Sequence, residues 1–407
     1  MEYTFSDRIS GVQPSAIREI FKVLEDPTVI SLAAGNPSPE TFPADDMAKI
    51  ASGLFRDRPG PALQYGITEG YGPLREQTAA RLRARAGVGG PDDDLIITSG
   101  GQQGLDLAAR VLLNEGDVVV CEDPSFIGAL NALRACNAKL AGVPMDAQGM
   151  DVEALERVLR DTPRAKFIYT IPTFQNPSGA TLPADRRARM LALAHRYNVL
   201  IVEDDPYCEL RYSGAPVPAI KSMDTDGRVI YLGSYSKVIS PGMRVGFVCA
   251  PREIVAKMTV AKQVSDVHTN LFFQMVVSEY LERCDIDAHI EDCRRLYVRR
   301  RDRMFEHVRG WGDRVRSVRP DGGLFLWCEL PDGYDGMALC RLGGRRKVAA
   351  VPGQTFAVDD RRPSPGFRLN FSMPSPEQID RGMTLFGEAL DELLAGRGGD
   401  APRAAGG

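Results

Sequence analysis

Cysteine pairs with metal or redox spacing are missing from this chain. Its eight cysteines (Cys121, Cys136, Cys208, Cys249, Cys284, Cys293, Cys328 and Cys340) are scattered, and no C-x-x-C pair occurs. A zinc or thiol-redox centre therefore has little support. A chain of 407 residues does not depend on disulfide staples. Buried free thiols in a reducing cytoplasm are the expectation. Histidine is also scarce: the four residues His195, His268, His289 and His307 show no ligand spacing, and no metal site is expected. Long apolar runs are absent. No stretch reaches the roughly 20 residues that a membrane-spanning helix needs, and Met1 to Ser10 lacks the apolar centre of a signal peptide. Neither is there a large excess of charge. A net charge of −4 gives no electrostatic reason to expect nucleic acid or an anionic membrane as a partner. Arginine far outnumbers lysine without forming a basic block, so a lysine inside a motif stands out.

What is present is an ordinary soluble balance, 43% hydrophobic and 26% charged, in a length that suits about two or three domains. Short runs rich in Val and Ile recur at Leu95–Thr98, Val118–Cys121, Lys139–Val143, Phe167–Ile171, Val199–Val202, Val229–Leu232 and Val245–Val248. Such runs fit strands buried on both faces. Between them lie helical stretches. Pro183 to Tyr197 opens with a proline at a first-turn position. Asp151 to Arg160 starts acidic and ends basic, as the helix dipole favours. The pattern predicts an α/β domain with a mostly parallel sheet flanked by helices. After about residue 285 it changes to a long charged helix, Asp287 to Arg309, followed by strand-like segments at Val315–Val318, Leu324–Glu329, Val348–Val351 and Phe367–Phe371. A last helix begins at Ser375-Pro376-Glu377-Gln378, which has the form of a capping box. This half reads as a smaller α+β domain.

Ligands of an open parallel sheet bind beyond the carboxyl ends of its strands. Four unusual clusters follow strand ends here: Ser99 to Gly104, Thr173 to Gly179, Glu203 to Tyr207 and Gly233 to Lys237. The glycines at 100, 101 and 104 lead into a helix expected over Leu105 to Leu113. They suit a phosphate cradle and a plain glycine-rich turn equally well. Asn176-Pro177-Ser178-Gly179 is a turn by any reading. Asp204 and Asp205 fit a solvated turn, a metal site or a partner for a cationic ring nitrogen. No further carboxylates or histidines complete a metal shell. Lys237 stands between Ser236 and the run Pro241-Gly242-Met243-Arg244-Val245-Gly246. A lysine amine can form an imine with an aldehyde cofactor, and Arg244 with two serines can grip a phosphate.

The string Ser234-Tyr235-Ser236-Lys237-Val238-Ile239-Ser240-Pro241-Gly242-Met243-Arg244-Val245-Gly246 resembles the cofactor-lysine signature of class I/II aminotransferases, pyridoxal-phosphate enzymes of fold type I. It is most similar to the branch holding 2-aminoadipate, kynurenine and aromatic aminotransferases. The resemblance runs from Leu32-Ala33-Ala34-Gly35-Asn36-Pro37 to Phe367-Arg368-Leu369-Asn370-Phe371. It implies pyridoxal 5'-phosphate held as a Schiff base on Lys237, which would also move protons at the substrate α-carbon. It implies Asp204 against the ring nitrogen, Tyr207 and Asn176 on the phenolic oxygen, and Phe126 stacked on the ring. The phosphate would sit on Gly101, Gln102, Ser234, Ser236 and Arg244. Tyr65 would reach the phosphate of the other subunit of a homodimer with shared sites. Arg368 would clamp the substrate carboxylate, with Gly35 and Asn36, and Asn176 again, on the substrate side. The expected domains are an N-terminal segment 1–49 that contributes to the active site and the small domain, a large cofactor-binding domain 50–285, a small C-terminal domain 286–396 and a disordered tail 397–407.

The expected reaction is transfer of the amino group of an L-amino acid, aromatic or 2-aminoadipate-like, to a 2-oxo acid such as 2-oxoglutarate. The substrate side would be closed by residues 17–32, where Ile17, Ile20, Phe21, Val23 and Leu24 form an apolar stripe and Arg18 could meet a distal carboxylate. Another fold type I enzyme acting on an amino acid (a lyase, decarboxylase, cyclase or oxidase) uses the same electron sink and remains the alternative. The same branch includes aminotransferase-like domains of transcription regulators. The motif-bearing sequence starts within about thirty residues of Met1, so a preceding winged helix is not expected.

Overall fold

The computed structural model describes residues 3–10, 12 and 26–396. The apolar stripe at residues 17–24 and the tail from residue 397 lie outside the described residues. The described chain forms two compact units, one of residues 3–10, 12, 39–295 and 321–323, the other of residues 26–38, 296–320 and 324–396.

The larger unit is built on seven main strands: β1 (Asp93–Thr98), β2 (Val118–Asp123), β3 (Lys139–Asp146), β4 (Ala165–Thr170), β5 (Leu200–Asp204), β6 (Val229–Ser234) and β7 (Gly246–Pro251). Their order across the sheet is β1-β7-β6-β5-β4-β2-β3, with the two-residue strand Gly149–Met150 at the outer edge. Strands β3, β2, β4, β5 and β6 pair in parallel. Only β7 runs against both of its neighbours, β1 and β6. The carboxyl ends of β1, β2, β4, β5 and β6 therefore share one edge, which collects all four sequence clusters.

The strands are apolar on both sides because helices cover both faces. Helices Val152–Asp161 and Ala184–Arg196 bring Leu155, Met190 and Leu193 against Val120, Ile168 and Ile201 in one buried cluster. Each such side chain contributes roughly 1.5–3 kcal/mol when fully buried. Asp151 caps the first of these helices by accepting from the backbone N–H of Glu153 (2.9 Å) and Ala154 (3.0 Å). The helix expected from Leu105 begins earlier, at Gly101, and runs to Leu112. Gly100 adopts φ +79°, which turns the chain from β1 into the helix with only Ser99 and Gly100 between them.

The smaller unit carries an antiparallel sheet in which Arg316–Ser317 pairs with β8 (Phe325–Glu329), β8 with β9 (Gly366–Asn370), and β9 with Val351–Pro352. The segment expected as one strand over Val348–Val351 is divided at Ala350. Val348–Ala349 pairs in parallel with Ile30–Ser31, and Val351–Pro352 joins β9. The long helix is Ile286–Gly310, and the division between units falls within it, between Arg295 and Leu296. The final helix, Pro376–Gly396, has its capping box. Ser375 N donates to Gln378 Oε1 (2.9 Å) and Gln378 N to Ser375 Oγ (3.2 Å). Among the described residues, no helix is long and apolar enough to cross a membrane.

Candidate active site

Three acidic residues end or follow β5, and strand geometry separates them. Successive side chains point to opposite faces, so Asp204 faces one way and Glu203 and Asp205 the other. Glu203 accepts from the backbone N–H of Ile220 and Lys221, both at 2.8 Å. Asp205 is buried and accepts from the Tyr231 hydroxyl at 3.1 Å. Asp204 is 8% exposed. Its Oδ1 lies 3.9 Å from where a Cβ on Gly101 would stand, and its Oδ2 accepts from the Tyr169 hydroxyl at 2.8 Å. Burial pushes the Asp204 carboxyl up to about 6, against the opposing pull of the Tyr169 hydrogen bond; Asp205 raises it further and the Lys237 ammonium draws it down. A buried carboxylate raised by desolvation is a site ready for a cation.

The lysine belongs to a loop closed at its base by strand pairing, because Ser234 on β6 faces Gly246 on β7. Within the loop Ser234 Oγ donates to Ser236 Oγ (2.9 Å), and Ser236 N donates back to Ser234 Oγ (3.1 Å). Lys237 Nζ stands 6.0 Å from the centre of the Tyr207 ring. Arg244 takes a left-handed backbone, φ 55°. Its Nη2 donates to Ser99 O (3.1 Å) and its Nη1 to Pro241 O (3.2 Å). A Cβ on Gly100 would lie 2.5 Å from Arg244 Nη2, so only glycine lets the guanidinium approach. Backbone N–H groups at the start of helix Gly101–Leu112, two serine hydroxyls and one guanidinium thus converge at one sheet edge. That combination suits an anion such as a phosphate.

Two further loops enter the same edge. Phe126 precedes helix Ile127–Arg134, and its ring packs over Gly128, where a Cβ would lie 2.4 Å from Phe126 Cζ. Gln102 Nε2 donates to Gly128 O at 2.9 Å, which ties the glycine run to the Phe126 loop. Asn176 is 4% exposed in the turn after β4. Beside it Gln175 Nε2 donates to Glu122 Oε2 (2.9 Å) and to Pro124 O (3.0 Å). Glu122 also accepts from Thr170 Oγ1 (2.6 Å). It is fully buried, and burial pushes its carboxyl up to about 7.

Sequence reasoning missed both Glu122 and Tyr169. Glu122 adjoins an apolar run and Tyr169 lies within one, so both read as strand. The usable signal lies in the register: Tyr169 pairs with Val202, so Asp204, two residues on, shares its face. Asp205, for which a solvated turn was one of the sequence readings, is not solvated. Its burial and its hydrogen bond make it part of the core.

These residues fit one flat bound group with an anionic end and a cationic ring nitrogen. The cradle of Gly100, Gly101, Ser234, Ser236 and Arg244 suits a phosphate, and Asp204, buried and raised, suits the nitrogen. Lys237 supplies an amine.

In the smaller unit Arg368 is 2% exposed on β9. Its guanidinium carbon lies 4.2 Å from the ring centre of Phe325 and 4.9 Å from that of Phe356. Its Nη2 donates to Ala33 O at 2.9 Å. A Cβ on Gly35 would press on the Phe325 ring at 3.1 Å. Asn36 is exposed, and its carbonyl accepts from Ser372 Oγ at 2.6 Å. Tyr65 belongs to the larger unit. It is 81% exposed, with its ring edge-on to His268 at 5.8 Å.

Residues 27–385 match the family described as aminotransferase class I and II. The chain belongs to that family. It is similar to aromatic-amino-acid aminotransferase 1 of Thermococcus litoralis, 40% identical over 97% of this chain and 95% of that one. It is similar to 2-aminoadipate transaminase of Thermus thermophilus, 38% identical over 96% and 97%. Among solved structures it matches a kynurenine aminotransferase of Pyrococcus horikoshii in complex with PMP, with a TM-score of 0.92, 40% identity and coverage of 96% and 97%. This aminotransferase has the type I fold, uses pyridoxal 5'-phosphate, and moves an amino group from an amino acid to a 2-oxo acid.

Proposed function

We propose that the amino donor is an aromatic or 2-aminoadipate-like L-amino acid and that 2-oxoglutarate is the acceptor. The observation that carries this reading is similarity along nearly the whole chain to relatives named for aromatic amino acids and 2-aminoadipate. The Arg368 guanidinium agrees with it. Buried on β9 beside the rings of Phe325 and Phe356, a guanidinium suits the carboxylate that any such amino acid carries.

In the proposed site Lys237 would hold the cofactor covalently and then carry the proton at the substrate Cα. Pyridoxal phosphate, when bound, supplies an electron sink for the bonds at that carbon. Asp204 would hold the ring nitrogen in its protonated form. Tyr207 and Asn176 would hydrogen-bond the phenolic oxygen, and Phe126 would cover one ring face. Gly101, Gln102, Ser234, Ser236 and Arg244 would bind the phosphate. Arg368 would orient the substrate carboxylate, with Gly35, Asn36 and Asn176 lining the substrate side. Residues 50–285 would form the cofactor-binding domain and 286–396 the small domain, with 1–49 contributing to the active site and the small domain.

The working form proposed is a homodimer with shared sites. Leu63, Tyr65, Ile67, Val264 and Val267 are more than half exposed, and Gly66 N donates to His268 Nε2 at 3.3 Å, so the two segments meet. Exposed apolar side chains gathered this way suit an interface. Tyr65 would reach the partner subunit's phosphate. All eight cysteines are free, which suits a reducing cytoplasm.

A donor panel tests the substrate reading. Purified enzyme with each amino acid and 2-oxoglutarate is expected to form glutamate fastest from aromatic amino acids or 2-aminoadipate. Preference for a small or cationic amino acid would sink it. No glutamate from any donor would sink the acceptor as well.

A further inference from the structure

Tyr169 is fully buried at the end of β4, and its hydroxyl donates to Asp204 Oδ2 at 2.8 Å. Its pairing with Val202 puts it on the Asp204 face of the sheet. A carboxylate on a single Cβ–Cγ bond can swing its two oxygens, and a strong donor on one of them stops that swing. Here the donor takes Oδ2. The other oxygen, Oδ1, is turned toward Gly101, 3.9 Å from the position of a Cβ there, at the glycine run that forms the anion cradle. Charged groups coupled to Asp204 include its neighbour Asp205, whose side chain points to the opposite face, Lys237 across the site, and Glu122, which is pushed up by burial and further by Asp204.

We propose that Tyr169 is a positioning residue for the cofactor's ring nitrogen, its hydroxyl holding Asp204 so that Oδ1 is the oxygen presented to the bound group. The inference rests on the reading of Asp204 as the partner of that nitrogen. Tyr169 touches neither cofactor nor substrate in this role and acts through Asp204. A tyrosine kept only to fill the core would use its ring, and phenylalanine would replace it without loss. The buried hydroxyl is the part that this proposal needs, and hydrogen bonds to a charged group are among the stronger ones.

The experiment compares binding of two cofactor forms to apoprotein by equilibrium titration: pyridoxal phosphate and its 1-deaza analogue, in which a carbon replaces the ring nitrogen. Wild type, Tyr169→Phe and Asp204→Asn are measured together. Tyr169→Phe is expected to weaken binding of pyridoxal phosphate by about 10- to 100-fold while leaving the deaza analogue unchanged, so the ratio between them collapses. Equal weakening of both forms, or weakening of neither, overturns the proposal. Asp204→Asn separates the two layers. If it too fails to change the ratio, the reading of Asp204 falls and the Tyr169 role falls with it. If it changes the ratio and Tyr169→Phe does not, only the Tyr169 role is lost. Placing 3-fluorotyrosine at position 169 keeps the hydroxyl and makes it a stronger donor. This protein is expected to retain the wild-type ratio or exceed it, and a ratio well below that of wild type counts against the proposal even should Tyr169→Phe fail to fold.

Discussion

Gly246 lies flat against the backbone of Gly100. A Cβ on Gly246 would stand 2.6 Å from the Gly100 carbonyl carbon and 2.8 Å from Gly101 N. A methyl group there must displace the turn that feeds the helix at Gly101. Gly246→Ala is expected to cost roughly 1–3 kcal/mol in overpacking, and to loosen cofactor retention during dialysis. Retention equal to wild type would show that the cradle tolerates a shift.

Lys237→Ala is expected to abolish turnover and the visible absorbance of lysine-bound cofactor. Two other lysines of the larger unit are engaged elsewhere. Lys221 is buried against Asp93 (2.8 Å) and Asp224 (3.1 Å), and Lys262 against Asp266 (2.9 Å). A Lys237→Ala protein at full activity without added amine would refute the assignment.

The paired carboxylates should separate cleanly. Asp204→Ala is expected to lower turnover by roughly 3–4 kcal/mol in barrier height, on the order of 100- to 1,000-fold. Asp205→Ala removes the acceptor of the buried Tyr231 hydroxyl and is expected to lower the melting midpoint while retaining cofactor. Turnover and thermal melting of both variants check the ranking, and the reverse order would assign the site to the wrong residue.

Much of the larger unit was legible because strands buried on both faces must be apolar throughout, as Val118-Val119-Val120 and Leu95-Ile96-Ile97 are. Once those runs are strands, the motifs after them fall at their ends. The direction of β7 was not legible: alternation of strand and helix carries no sign of an antiparallel insertion. Glu122 and Tyr169 were hidden for another reason. A buried polar residue is tolerated only through its partners, and Gln175, Thr170 and Asp204 become partners only when strands pair. Ala350 was read through as strand because its apolar neighbours belong to two different sheets.

Stability of the apoprotein should fall as the medium turns alkaline from weak acid. Burial raises Glu122 and Glu203 to about 7 from an ordinary 4.5. A carboxyl raised in the folded state binds its proton more tightly there than in the unfolded chain. Its contribution is full below the ordinary value and is lost as pH climbs to about 7. Glu122→Gln removes one such group. Its melting midpoint is expected to decline less between about pH 5 and about pH 8 than that of wild type. A steeper decline in the variant would contradict the burial argument.

The proposed dimer predicts that Ile67→Asp, at a side chain 60% exposed, yields a monomer by light scattering. A mixture of Tyr65→Ala and Lys237→Ala subunits should regain activity through one intact site per heterodimer. Active monomer, or no recovery on mixing, would rule out shared sites.

The loop of residues 235–245 is tied at its neck by the pairing of Ser234 with Gly246, which in turn pairs with Thr98. The ends of this eleven-residue segment are joined by backbone pairing within the sheet, so the loop-closure entropy is met during folding. With the cofactor held at Lys237 as proposed, its loss would release the tip of a noose whose knot stays fastened. Amide exchange should quicken from Ser236 to Met243 and stay slow at Leu232 and Phe247. The apoprotein would then keep a reusable receptacle, recharged by small-molecule binding without refolding.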